Sequence, residues 1–182
     1  MEFDAIIKRD KLGREVVLRS AAEDDAQTLI DYLRVTSAES PYLIREPEEV
    51  TLTLEQERAF IRFVQDSGRE LLLVAFLDGA HVGNCSLMSA GSFSRYRHRC
   101  GVAIALYKAY WGCGIGRLMM ETVLNEAKKL GYEQAELEVV AGNEPAVALY
   151  KSLGFEVYGR MPDNMKYPDG TYADTFWMMK KL

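Results

Sequence analysis

The chain has 182 residues, 48% of them hydrophobic and 27% charged, which predicts one folded domain over residues 1–182 and excludes a largely disordered protein. Its 22 basic and 27 acidic residues give a net charge of −5, which argues against a surface that binds nucleic acid by neutralising phosphates. The three cysteines match no zinc-ligand spacing, so we expect reduced thiols and no metal site.

Hydrophobic periodicity and turn residues predict seven strands and four helices. The first half of the chain is predicted as an arm at 1–15, a strand at 16–19, a helix from Ser20 through Leu33, a loop or broken helix at 36–50, a helix from Thr53 to Ser67 and a hairpin of strands 71–77 and 81–88. A strand follows that begins within 95–99 and continues through 101–106, and then a glycine-rich loop at 107–116. The rest is predicted as a helix at 118–130, a strand at 134–140, a helix from Asn143 to Leu153, and strands at 155–161 and 172–179. This order predicts a mixed α/β domain with a central β-sheet flanked by helices.

The loop before the third helix carries three glycines, Gly112, Gly114 and Gly116. Glycine lets the backbone turn sharply and approach a ligand, and the first N–H groups of a helix point outward at the positive end of its dipole. The segment therefore predicts a seat for a diphosphate, with a glycine turn that merely packs as the alternative. No Lys-Ser/Thr pair follows the glycines, which excludes a Walker P-loop, and the glycine spacing excludes a G-x-G-x-x-G fingerprint.

A second segment, residues 143–155, follows 27 residues after Gly116 and reads N-x-x-A-x-x-L-Y-x-x-x-G-F. Together the two segments resemble the GCN5-related N-acetyltransferase (GNAT) superfamily, whose pattern Q/R-x-x-G-x-G/A before the central helix is met here at Gly114 and Gly116. Trp111 stands where that pattern has Gln or Arg, which puts one side-chain contact in doubt. The resemblance runs from about Val16 to the C-terminus.

The resemblance implies a single GNAT-like acyl-CoA N-acyltransferase fold, with acetyl-CoA as co-substrate and a binding core at about 98–160. It further implies that the backbone of Ile104 and Leu106 pairs with the pantetheine arm. Asn143 would bond the same arm, cap its helix, or do both. The diphosphate would be held by the loop and the first turn of the helix, that is by Gly112, Cys113, Gly114, Ile115, Gly116 and Arg117.

Tyr150 is the catalytic candidate that the resemblance implies. A phenol with a pKa of about 10 can act as general acid toward a thiolate whose thiol has a pKa of about 8.5, and a tyrosine that only packs in the core is the alternative. An alkylammonium must also lose a proton before it attacks. His98 and Glu46 are the candidate bases, alongside two other glutamates of the irregular early segment, Glu39 and Glu48.

The implied function is the direct transfer of acetyl from acetyl-CoA to a primary amine in a ternary complex, and we expect a small-molecule acceptor. Two alternatives stay open: acetylation of protein N-termini or lysines, and a non-catalytic module that binds or senses acetyl-CoA. Tyr42, Asn84 and Tyr172 are candidates for the acceptor pocket. Without a visible signal peptide or membrane-length apolar run, we expect a cytoplasmic protein without membrane or nucleic-acid partners, and a homodimer by analogy.

Overall fold

A single mixed sheet of eight strands organises the computed structural model, which describes residues 1–182. The elements are β1 Ile6–Arg9, β2 Glu15–Ser20, α1 Ala26–Glu39, α2 Leu54–Asp66, β3 Leu71–Leu77, β4 Ala80–Ser89, β5 Arg99–Leu106, α3 Ile115–Lys129, β6 Gln134–Val140, α4 Glu144–Ser152, β7 Glu156–Lys166 and β8 Tyr172–Lys181. The strand order is β1-β2-β3-β4-β5-β6-β8-β7, and every neighbouring pair except β5 and β6 is antiparallel. The predicted mixed α/β class is confirmed.

Strand β3 is buried on both faces of the sheet, as its run of apolar residues requires. Successive side chains of a strand point to opposite faces. Leu72 and Val74 accordingly pack against α1 and α2 on one face, whereas Leu71 and Leu73 join the larger core under α3. The helices therefore cover both sides of the sheet. None of them combines the length and the apolarity that crossing a lipid bilayer would need.

Strands β5 and β6 form the parallel pair of the sheet, and they separate after three residues. Residues 99–101 of β5 pair with residues 134–136 of β6. Farther along, β5 pairs only with β4, and β6 pairs only with β8. A cleft therefore opens between the carboxyl-terminal halves of two neighbouring strands, in the middle of the sheet.

The N-terminal arm predicted at residues 1–15 contains a strand, so this prediction needs a correction. Ile6–Arg9 form β1, which pairs in register with Arg9 opposite Glu15 of β2. Four residues are too few to show an alternating pattern on their own. The strand forms because the free edge of β2 offers its backbone hydrogen-bonding partners, which is a tertiary effect.

Three other boundaries also differ from the prediction. Helix α1 continues to Glu39, and Pro47–Glu49 form a short 3-10 turn within the segment predicted as irregular. Residues 95–98 form a turn rather than the beginning of β5, because Arg99 N bonds back to Tyr96 O. Strand β7 extends to Lys166, because register shifts after Val157 and Met161 let the hairpin with β8 continue.

Candidate active site

The cleft between β5 and β6 presents unpaired backbone groups of β5. Tyr107 N donates to Val82 O, and Ala90 N donates to Arg99 O. Because hydrogen-bonded and non-bonded positions alternate in an antiparallel ladder, the odd-numbered residues of β5 bond to β4. Beyond the last pairing with β6, the backbone of Ile104 and Leu106 therefore points into the cleft, which has a volume of about 540 Å³. An extended chain of amides could add there like a strand.

The loop before α3 offers a row of free backbone donors at one end of this cleft. Gly112 has φ +75° and Gly114, the N-cap of α3, has φ +89°. These left-handed conformations are ordinary for glycine and strained for other residues. None of the N–H groups of residues 112–117 donates to a backbone carbonyl. Together with the helix dipole, they form an anion seat that fits a diphosphate.

The turn between β1 and β2 packs against the same loop. Lys11 N donates to Cys113 O at 2.9 Å, and the aliphatic part of the Lys11 side chain lies against Gly114. A Cβ at position 114 would lie 2.7 Å from Lys11 Cγ, so this position leaves no room for a side chain without a shift. Lys11 thus places a cationic side chain next to this loop, and no sequence pattern indicates that contact.

The side chains around the loop have partners of their own. Trp111 Nε1 donates to Leu106 O at 2.9 Å, so the indole ties the loop to the end of β5. Arg117 donates to Ser152 Oγ at 2.5 Å. The side chain of Asn143 accepts from Ala146 N at 3.3 Å, which makes it the cap of α4, and it also lines the cleft.

Tyr150 lies on α4 and lines the cleft between β5 and β6. Tyr150 is 7% exposed, and its ring packs edge-on against the ring of Phe155. The hydroxyl forms no hydrogen bond within the chain, so it is available to a ligand. Burial raises the pKa of this phenol above its ordinary value, and the nearby Cys85 thiol adds to the shift. Tyr150 therefore stays protonated and can donate.

A second cleft of about 480 Å³ lies on the other side of β5, between the sheet and the early helices. Its walls come from α1, α2, the segment 43–52, and parts of β3, β4 and β5. The two clefts meet along the backbone of residues 103–105, which line both of them. Tyr32 Oη donates to Ala105 O at 2.8 Å and holds this shared edge in place. A ligand in each cleft could therefore react with the other.

The second cleft contains a buried carboxylate, Glu57, that sequence reasoning missed. Glu57 is 5% exposed and receives no hydrogen bond from the chain. Burial raises the pKa of Glu57, and the positive charge of Arg45 opposes the shift. A signal was present in the sequence, because Glu57 precedes the buried Ile61 and Val64 by four and seven residues and so lies on the apolar stripe of α2.

The structure does not bring the predicted bases to either cleft. His98 precedes β5 and lies roughly 20 Å along the strand from Ile104, at about 3.3 Å per residue. Glu46 is exposed and caps the short turn Pro47–Glu49. Glu39 accepts from Lys108 N at 2.7 Å, and Glu48 is exposed. The segment 36–50 contributes Leu43, Ile44 and Arg45, rather than its glutamates, to the walls of the clefts.

Of the residues predicted for the acceptor pocket, two line a cleft. Asn84 lines the second cleft, where its Oδ1 lies 2.6 Å from His81 Nε2. Tyr42 lines the cleft between β5 and β6, whereas Tyr172 lines neither. No three His, Cys, Asp or Glu side chains are grouped closely enough to hold a metal ion.

A family model, related sequences and a solved structure all match this chain to acetyltransferases. The sequence model of the Acetyltransferase (GNAT) family matches residues 28–155. An L-methionine sulfoximine/L-methionine sulfone acetyltransferase of Salmonella typhimurium is 27% identical over 112 residues, which is 61% of this chain and 64% of that protein. An N-alpha-acetyltransferase of Saccharolobus solfataricus is 29% identical over 93% of this chain and 92% of its own length. A GNAT-family acetyltransferase structure from Streptococcus pneumoniae superposes with a TM-score of 0.88 at 28% identity, covering 92% of this chain and 100% of that one.

Proposed function

The chain belongs to the acetyltransferase (GNAT) family, and we propose that it transfers the acetyl group of acetyl-CoA to the primary amine of a small molecule. One observation carries the proposal. A free row of backbone amides, an unpaired strand edge and an unbonded tyrosine hydroxyl lie along a single cleft, and a second cleft meets it at residues 103–105. Two ligands can therefore bind at once.

The residues present fit acetyl-CoA as the ligand of the first cleft. The N–H groups of residues 112–117 would hold its diphosphate, and the exposed backbone of Ile104 and Leu106 would pair with its pantetheine amides. The Leu106 carbonyl already accepts from Trp111, so its N–H group is the one left for this pairing. Asn143 would reach the same arm while it caps α4. Acetyl-CoA supplies the activated acyl carbon.

Tyr150 would serve as the general acid of the transfer. The amine nitrogen forms a bond to the acyl carbon, the carbon–sulfur bond breaks, and the sulfur leaves as a thiolate. The Tyr150 hydroxyl donates its proton or a strong hydrogen bond to that sulfur, and it recovers the proton that the new amide nitrogen loses. An N–H group of residues 104–106 would stabilise the negative charge on the acyl oxygen meanwhile.

The second cleft would hold the acceptor amine. It reaches the shared edge at residues 103–105, and its walls are mostly apolar. A volume of about 480 Å³ lies within the range of small-molecule sites. These features support a small amine rather than the side chain of a folded protein as the acceptor.

A protein N-terminus is the second candidate acceptor. The archaeal N-alpha-acetyltransferase aligns over 93% of this chain, farther than the amino-acid-derivative acetyltransferase does. An extended N-terminal peptide could enter the second cleft with its first residue, since Ile44 and Arg45 of its wall are exposed to solvent. This alternative predicts acetylation of short peptides at a rate above that of single amines.

The test is an acetyl-transfer screen with the purified chain. Release of free thiol from acetyl-CoA is followed with a panel of amines, amino acids and N-terminal peptides, and mass spectrometry identifies the acetylated product. Turnover with a small amine supports the proposal, and faster turnover with peptides favours the second candidate. Acetyl-CoA binding without turnover on any acceptor would indicate a binding module instead.

A further inference from the structure

The second cleft contains two charged side chains of opposite sign among its lining residues. Glu57 comes from α2 and Arg45 from the segment between α1 and α2. They interact electrostatically, because Arg45 lowers the pKa that burial raises, yet they form no salt bridge or hydrogen bond with each other. Neither has another charged partner in the chain. Glu57 is 5% exposed and receives no hydrogen bond within the chain, so a ligand that donates one would stabilise its charged form.

Such a separated pair fits a ligand that carries both charges. An α-amino acid carries an ammonium and a carboxylate on one carbon, and these could pair with the buried Glu57 and the exposed Arg45 of the same cleft. Most of the other lining residues are hydrophobic, with Leu29, Leu33 and Phe60 among them, and the rest are polar but uncharged. A polyamine would need further carboxylates, and the cleft has none. The first residue of a peptide would leave Arg45 without its partner, because its carboxyl group is already an amide.

We propose that Glu57 and Arg45 form a binding subsite for a free α-amino acid with an apolar side chain, which is the acetyl acceptor. The carboxylate of Glu57 accepts hydrogen bonds from the α-ammonium, and the guanidinium of Arg45 donates to the α-carboxylate. This assignment rests on the proposed acetyl transfer and names the acceptor class within it.

Glu57 can also act as the general base that accepts a proton from the α-ammonium. One proton moves from the α-ammonium to the Glu57 carboxylate, and the freed nitrogen lone pair bonds to the acyl carbon as the carbon–sulfur bond breaks. The second nitrogen proton replaces the one that Tyr150 donates to sulfur, and Glu57 returns its proton to water. The products are the N-acetyl amino acid, the free thiol and one proton. The other titratable group lining this cleft is Tyr32, whose pKa burial raises, so Glu57 is the group there that titrates in the acidic range.

The experiment compares leucine, leucinamide and 3-methylbutylamine, which share a side chain and differ in the carboxyl group. Wild-type kcat/KM is expected to favour leucine over the other two by about tenfold or more, the effect of one charge-assisted contact. Arg45→Ala should lower the ratio of kcat/KM for leucine to that for leucinamide by that factor, because a changed pKa of Glu57 affects both acceptors alike. Glu57→Gln should lower kcat for all three and remove the acidic limb of the pH profile. Arg58→Ala, the neighbour of Glu57 that lines neither cleft, is the matched control.

Calorimetric titration of leucine into the CoA-saturated chain separates this inference from the proposed function. Leucine binding that Arg45→Ala weakens about tenfold supports the subsite, whether or not turnover is seen. Equal kcat/KM for leucine and leucinamide, equal losses for both in Arg45→Ala, or no leucine binding would each overturn it. Failure of the proposed transfer would appear differently, as an absence of thiol release with every amine.

Discussion

Replacement of Gly112 by alanine tests the anion seat most directly, with Gly131 as a matched control. Gly112 has φ +75° and Gly131, after the end of α3, has φ +79°. At both positions a Cβ would meet no atom within 4 Å, so the two substitutions differ in location and not in packing. Gly112 belongs to the loop of free amides, whereas Gly131 lies at the opposite end of α3.

The expected loss of stability is the same for both variants. Alanine in the left-handed region costs roughly 1–2 kcal/mol, and the reduced entropy of the unfolded chain offsets about 0.4–1 kcal/mol of it. The net loss is about 1 kcal/mol, which for a domain of this size lowers Tm by about 2–4 °C. Differential scanning fluorimetry without ligand measures this difference.

The affinity for acetyl-CoA should separate the two variants. Relaxation of φ at Gly112 turns the adjoining N–H groups away from the diphosphate, and the loss of one charge-assisted hydrogen bond of about 1.5 kcal/mol weakens binding about tenfold. Isothermal titration should give a Kd about tenfold higher for Gly112→Ala and an unchanged Kd for Gly131→Ala. Wild-type affinity in Gly112→Ala would refute the assignment of the diphosphate to this loop. If acetyl-CoA binding were weakened equally in Gly112→Ala and Gly131→Ala, the cause would be the loss of stability rather than the position of the loop.

Three further predictions concern single side chains. Tyr150→Phe should lower kcat by about 100-fold or more and leave the Kd of acetyl-CoA unchanged, as stopped-flow and titration would measure, and wild-type turnover would remove Tyr150 from the mechanism. Lys11→Ala should raise the Kd of acetyl-CoA in low salt, with a smaller effect in 1 M salt, and an effect that salt does not change would contradict an electrostatic role. Burial raises the pKa of Glu57, so its contribution to stability is present below its ordinary value near 4.5 and is lost as pH rises through the raised value. Glu57→Gln should therefore have a higher Tm than wild type at pH 8, and the difference in Tm should be smaller at pH 5. A difference in Tm that increases on acidification would contradict a raised pKa of Glu57.

The parts of the fold that were predictable from sequence are those with local causes. The glycine loop, the Asn143 cap and the continuous apolar run of β3 each depend on neighbours within a few residues, and each is seen in the structure. Strand β1 was missed because it is stabilised by the edge of β2 rather than by its own sequence. The separation of β5 from β6 likewise has no local signal, since both strands are regular and only their pairing stops.

The acceptor side illustrates a different limit. A glutamate on a helix is usually solvated, so residue type does not single out Glu57 as a base, although its spacing to Ile61 and Val64 marks the buried stripe. His98 is a candidate by residue type, because imidazole is a common general base in proteins. Titration behaviour can be read from residue type, but whether a side chain reaches the reacting atoms depends on where two distant segments cross. Here those segments are α2 and the backbone of residues 103–105.

Trp111 shows how one departure from a family pattern can preserve the physical requirement of the position. The family has Gln or Arg there, both of which offer an N–H donor on a long side chain. The indole offers an N–H donor as well, and it bonds to Leu106 O at the end of β5. This bond fixes the glycine loop relative to the unpaired strand edge. A cofactor bound through both its diphosphate and its pantetheine amides requires that relation to be constant, because each end binds to a different element of the fold.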